Sequence, residues 1–314
     1  MDLPVCIVIP TFNRAHSIGA AVKAALSQSH TDVRVLVIDD ASTDATATVL
    51  ATFRDDPRLC CIRLATNVGT AGAKNLGILL AGERAVTFHD SDDIPHRDKV
   101  LCQSRALNIR DIPADPCLNW ALAGQEPGSP LTVGAVLIHH ALVLPDGRQV
   151  EIRRQISLID DVFPNLQVGS TIPGDWTHVN SGLFHPDVFR RLGGFAECIE
   201  EDREFRNRLI LSGEVIRVID DILLTKIETA DSLTQSAATD YSSVRRIADR
   251  RRVWAKVEHW LATREVAPEP IHLPDLAVAD VSRMGLLHRS GAMSTEGTQA
   301  RLTRLFADDH RQSA

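Results

Sequence analysis

Residues 33–53 read VRVLVIDDASTDATATVLATF. The first seven are largely apolar and β-branched, the composition of a strand buried on both faces. Ser42 to Phe53 reads as a helix, with Ser42 or Thr43 as its expected cap. Between strand and helix stand two adjacent carboxylates, Asp39 and Asp40. The same unit recurs on either side. VCIVIP (5–10) is a strand ended by Pro10, followed by a helix from Ser17. CCIRLA (60–65) and RAVTFHD (84–90) are further strands, separated by the helix GTAGAKNLGILLAG (69–82). Such alternation predicts an α/β fold with a mostly parallel sheet flanked by helices. Ligands of these sheets gather at the carboxyl ends of the strands. Polar clusters stand at four of those ends: Thr11 to Arg14, Asp39-Asp40, Thr66-Asn67 and Asp90 to Asp93.

Later segments change character. AVLIHHALVLPDGRQVEIRR (135–154) reads as two strands joined at Pro145-Asp146-Gly147, a hairpin signal. After Gln235, Val244, Ile247, Trp254, Val257 and Leu261 mark one face of a helix whose other face carries RRIADRRR. A proline-containing linker (Pro268, Pro270, Pro274) and more helical pattern follow. The expected division is a catalytic domain over 1–235, with halves near 1–95 and 96–235, and a helical extension over 236–314.

Composition narrows the function. The 314 residues allow a substantial core, and 44% hydrophobic with 24% charged residues is ordinary for a globular protein. The net charge of −7 argues against nonspecific binding to nucleic acid or anionic membrane over most of the surface. No basic leader precedes the first strand, and the longest apolar run, LTVGAVLIHHALVLP, is too short to span a bilayer. Six cysteines without a CxxC pair fit reduced thiols in a cytoplasmic protein.

The chemistry concentrates in FHDSDD (88–93). Three carboxylates within four positions repel one another unless something positive sits between them. Closely spaced aspartates are hard oxygen ligands, suited to Mg²⁺ or Mn²⁺ carrying a diphosphate; a solvated turn and helix cap is the plainer reading. Asp39 and Asp40 can accept hydrogen bonds from a base or ribose, or cap the following helix. NVGTAGAKN places Gly69 and Gly72 near a helix start, where backbone N–H groups favour an anion, with Lys74 beside them. Neither GxGxxG nor a GKS/T loop is present. His139, His140, His178 and His185 have no ligand spacing and read as structural, and His89 as a strand residue.

Six blocks, taken in order, resemble the family 2 glycosyltransferases: VCIVIPTFNRAHSI, VLVIDDASTDAT, NVGTAGAKNLGI, FHDSDD, NSGLFHPDVFRRLGGFAECIEEDREFRNRL and ADSLTQS. The resemblance spans roughly residues 4 to 236. It implies a GT-A fold and an inverting transferase that takes a nucleotide-diphospho-sugar donor. The acceptor would be a saccharide or lipid-linked species, as in bacterial surface polysaccharide or glycolipid synthesis. By the same resemblance Pro10, Thr11, Asn13, Arg14, Asp39, Asp40, Asn67, Gly69, Lys74, Asp90 and Ser91 would bind the donor. Asp92, with Asp90, would hold the metal. Asp202 would be the general base, with Glu201 beside it. Read without the resemblance, Asp202 is a helix N-terminal carboxylate. Lys226, Glu228 and Thr229 stand where the family often has a histidine, which leaves a third metal ligand open. Arg206 and Arg208 either serve the base or phosphate, or pair with Glu204. Trp176 stacks on a sugar or packs in the core. The basic helix with Trp254 and Trp260 either docks peripherally at the inner membrane face or packs on the domain. A sugar nucleotidyltransferase lacks support, because PTFNRAHSIG has one arginine and no early glycine. A non-catalytic nucleotide-sugar-binding or partner subunit is the remaining alternative.

Overall fold

The computed structural model describes residues 3–108, 133–153, 182–227, 242–271, 278–283 and 286–289. Strands β1 (Val5–Thr11), β2 (Val33–Asp39), β3 (Leu59–Leu64) and β4 (Ala85–Phe88) lie parallel in the order β3-β2-β1-β4. Helices α1 (Ile18–Leu26), α2 (Thr46–Ala51) and α3 (Gly69–Ala81) connect them. Successive residues of a strand point to opposite faces, so each strand feeds two cores. Val5, Ile7 and Ile9 of β1 pack with α1, while Cys6 and Val8 pack with α3. That is why these strands are apolar throughout rather than alternating. Gly77 sets the spacing of α3 against β1, since a Cβ there would stand 2.3 Å from Val8 Cγ1.

The remaining strands make the sheet mixed. β5 (Ile94–Pro95), β6 (Val133–Val143), β7 (Gln149–Ile152), β8 (Leu183–Phe184) and β9 (Val215–Ile227) extend it as β4-β8-β6-β9-β5, with β7 paired on β6. The hairpin at Pro145-Asp146-Gly147 is present, and Gly147 has the left-handed backbone that this turn requires. Helix α4 (Lys99–Leu107) follows β5, α5 (Pro186–Leu192) follows β8, α6 (Glu201–Leu211) precedes β9, and α7 (Val244–Thr263) lies after it.

Three expectations change. Helix α2 starts at Thr46, and neither Ser42 nor Thr43 caps it; the Asp44 carboxylate takes the Thr46 N–H at 2.9 Å. The C-terminal region is not wholly helical. Strands β10 (Val278–Arg283) and β11 (Leu286–Arg289) form a hairpin on the outer edge of β3, covering what would otherwise be an open edge. The sequence signal was two short runs separated by two residues, one of them Gly285. Finally, α7 buries Arg246, Asp249, Val253, Val257 and Trp260, while Val244 is 85% exposed and Ile247 also faces solvent. Its inner face is chosen by charge as much as by hydrophobicity. Arg246 and Arg250 reach Glu200, Lys256 reaches Glu204 and Glu269, and Asp249 accepts the Ile199 N–H. Arg246, Arg250 and Lys256 therefore face the domain, while Arg245, Arg251 and Arg252 are exposed. Among the described residues no helix is long and apolar enough to cross one.

Candidate active site

Each of the four parallel strand ends supplies polar side chains, and the protein uses many of them internally. The loop after β1 is pinned to the loop after β2. Asn13 N–H donates to Ser42 Oγ, and Asn13 Oδ1 accepts from the N–H groups of Thr43 and Asp44. Asn13 and Ala41 both have positive φ, the local strain of two tight reversals held together. Asp39 Oδ1 accepts the Ser42 N–H, and Arg63 Nε lies 3.6 Å from Oδ2. Thr11, in register beside Asp39, has a buried hydroxyl. Neither Thr11 Oγ1 nor Asp39 Oδ2 makes a hydrogen bond among the described residues.

Asp40 has a different task. Its two oxygens accept the N–H groups of Val68 (2.7 Å) and Gly69 (2.9 Å) at the start of α3, and its main-chain oxygen accepts from Asn67 Nδ2. The anion expected at that helix start is therefore the protein's own carboxylate. Burial raises the Asp40 pKa, and those two N–H bonds oppose the rise.

The positive charge among Asp90, Asp92 and Asp93 belongs to side chains. Lys226 Nζ lies 3.2 Å from Asp90 Oδ2 and 3.2 Å from Asp93 Oδ2. Arg14 Nε lies 3.6 Å from Asp92 Oδ2. Burial opposes charge on Asp90, but the Lys226 and Lys74 ammoniums outweigh it and hold its carboxyl below the usual range. Burial likewise disfavours the Lys226 charge, which Asp93 and Asp90 more than restore. Asp92 shifts the other way, raised by burial and by the neighbouring Asp90 charge.

The acidic run at the start of α6 is sorted by its partners. Glu200 is held by Arg203, Arg246 and Arg250. Glu201 Oε1 receives Lys74 Nζ at 3.1 Å, in a pair whose lysine is fully buried. Asp202 is half-buried, and its Oδ1 takes only the N–H of Arg203; among the described residues it has no ion pair. The turn before α6 is clamped to α3 by Asn75, whose amide exchanges two hydrogen bonds with the Phe195 backbone (2.9 and 2.7 Å). Lys74, one residue earlier on α3, thus stands between the two acidic groups, paired to Glu201 and felt electrostatically by Asp90.

Comparison with known proteins fits this geometry. Residues 6–106, from β1 through most of α4, match the model described as "Glycosyl transferase family 2". By that match the segment resembles glycosyl transferase family 2. A related Escherichia coli protein, "UDP-Glc:alpha-D-GlcNAc-diphosphoundecaprenol beta-1,3-glucosyltransferase WfaP", is 37% identical over 108 residues, 34% of this chain and 43% of the relative. "Putative teichuronic acid biosynthesis glycosyltransferase TuaG" of Bacillus subtilis (strain 168) is 35% identical over 128 residues, 40% of this chain and 50% of the relative. The aligned segment thus spans half or less of these relatives. Among solved structures, S. aureus TarS 1-349 in complex with UDP-GlcNAc superposes with a TM-score of 0.51 at 17% identity, covering 83% of this chain and 73% of that one. The shared architecture is the GT-A fold.

Against the family 2 pattern, the structure brings Arg14, Asp90, Asp92 and Asp93 together, and sets Lys74 with Glu201 next to them. It commits Asn13, Asp40, Asn67 and Gly69 to holding loops in place. Pro10 lies within β1, in register with Ile38, rather than ending the strand, which runs on to Thr11, and Ser91 is buried between the aspartates. Arg208 serves no ligand: buried, it binds Glu204 and the carbonyls of Leu192 and Gly194. Lys226 is the residue whose role sequence reasoning missed. Its position was noted only as a departure from a histidine, and its partners lie on a distant strand end. Trp176, His178, Glu228, Thr229 and residues 230–236 lie outside the described residues.

Proposed function

We propose that this chain is an inverting glycosyltransferase that moves a sugar from a nucleotide-diphospho-sugar to a hydroxyl of a saccharide or lipid-linked acceptor. The observation that carries the reading is the sorting of charge around Lys74. Glu200 and Glu201 are neutralised by fixed cations, and Asp202 beside them has none. A general base must be ionised and free to take a proton. Asp202, half-buried and with no ion pair among the described residues, is left free to take one. In this reading Asp202 takes the acceptor hydroxyl proton as the oxygen attacks the anomeric carbon, and Glu201 with Lys74 fixes the helix start that presents it. The buried Thr11 hydroxyl, which makes no hydrogen bond among the described residues, and Asp39, whose Oδ2 meets Arg63 Nε only at 3.6 Å, would serve the nucleoside. The names of the relatives support the donor and acceptor classes: one carries a UDP-sugar and a diphosphate-linked lipid in its name.

A divalent ion, when an enzyme of this fold uses one, neutralises the departing diphosphate. Asp92 and Asp90 were expected to hold it. The arrangement does not fit that role: Asp90 shares the Lys226 ammonium with Asp93, and Asp92 has Arg14. Among the described residues no group of three His, Cys, Asp or Glu side chains is placed to hold a metal.

The test is Asp202→Asn. Thermal stabilisation by the donor nucleotide should persist, while transfer falls by about 10²-fold or more. Near-normal transfer would move the base elsewhere. In the non-catalytic alternative, wild-type protein would bind nucleotide-sugar and transfer nothing to any acceptor tried.

A further inference from the structure

We infer that Lys226 is the resident cation of the donor site, contacting the diphosphate and allowing nucleotide to bind without a divalent metal. The inference rests on the glycosyltransferase reading and deepens it. Its basis is backbone register. β5 and β9 pair antiparallel with Ile94 opposite Thr225 and Pro95 opposite Leu224. The next position in that ladder places Lys226 across from Asp93. On its other side β9 pairs with β6, Leu142 opposite Lys226. The lysine is therefore held by main-chain pairing to β6 and stands one residue beyond the β5 ladder, and its ammonium is held by two carboxylates. It has not swung in from a mobile loop.

Its exposure matters as much as its fixity. The Lys226 side chain is 20% exposed and that of Asp90 27%, whereas Asp93 is 3% exposed. Asp93 is thus the buried anchor, and the side chains of Lys226 and Asp90 are the more exposed members of the cluster. A lysine ammonium has three donors and is a compact point charge well suited to phosphate oxygens. Two of those donors face Asp90 and Asp93, which leaves the third for a ligand. Arg14, at the mouth of β1 and 3.6 Å from Asp92, supplies a second positive group on the same anion path. A dication at Asp90 would instead have to share that carboxylate with a fixed ammonium.

The experiment measures binding of UDP, GDP, CDP and dTDP to the full chain by calorimetry, once in EDTA and once in Mn²⁺. Wild type should bind one of them in EDTA within about threefold of its affinity in Mn²⁺. Lys226→Met should lose about tenfold or more in EDTA, the equivalent of one charge-assisted hydrogen bond. It should recover in Mn²⁺, because removing the ammonium frees Asp90 and Asp93. Lys226→Arg keeps the charge and should bind in EDTA, which separates loss of charge from loss of fold. Binding by wild type only in Mn²⁺, or equal binding by Lys226→Met and wild type in EDTA, overturns the inference and leaves the transferase reading intact. If no nucleotide binds wild type under either condition, the transferase reading fails and takes the inference with it.

Discussion

Replacing Lys74 by Met should produce a stability defect that exists only in base. Lys74 is fully buried, with its ammonium 3.1 Å from Glu201 Oε1 and 4.8 Å from the Phe195 ring centre. Methionine fills most of the same volume without the charge. Burial already pushes the Glu201 pKa up to about 7, against the pull of Lys74. A carboxyl raised in this way contributes stability below its unfolded value near 4.5, and that contribution is lost as pH rises through the folded value. At pH 5 Glu201 is protonated in both proteins, so the variant should match wild type or exceed it. Above pH 7 wild-type Glu201 ionises onto Lys74, while the variant must keep its proton. Each unit then costs the variant about 1.4 kcal/mol, which gives about 3 kcal/mol by pH 9, within the range for breaking a buried pair from one side. Urea unfolding at pH 5, 7 and 9 reads the difference directly. Lys74→Met/Glu201→Gln should abolish the pH dependence. An equal defect at all three pH values, or one confined to acid, would refute the assignment of Glu201 as the partner.

Lys99 should behave in the opposite sense. Burial pushes its pKa down to about 7, and its ammonium donates to Thr87 Oγ1 at 2.9 Å. Between pH 7 and 10.5 the unfolded chain binds the extra proton, so stability rises with pH across that window. Lys99→Met should therefore stabilise most at or below pH 7, by at most about 5 kcal/mol, with the gain gone near pH 10.5; a destabilised variant at pH 6 would contradict this. Asp40→Ala removes the acceptor for two N–H groups and should cost about 2 kcal/mol or more. Hydrogen exchange at Val68 and Gly69 should speed up, and unchanged protection there would show that the cap carries no weight.

The parallel half of the fold was legible because every strand had to serve two cores. Val33 to Asp39 could not alternate polar and apolar residues and still be covered on both faces. The helical face of α7 was misread for a related reason: Val244 and Ile247 obey the spacing, but the partner surface offers Glu200 and the Ile199 N–H, so arginine and aspartate turned inward. The edge hairpin β10–β11 escaped because two short runs carry little periodic signal. The sequence by itself determined which residues could do chemistry, since carboxylates clustered at strand ends are a local pattern. It showed that FHDSDD needs a cation and that the start of α3 attracts an anion. Only the tertiary structure decided that these are Lys226 and Asp40. Counter-charges inside a protein are matched by strand register and helix packing across distant segments, and a low-dielectric interior makes that matching, rather than the composition of either segment, the quantity that sets the site.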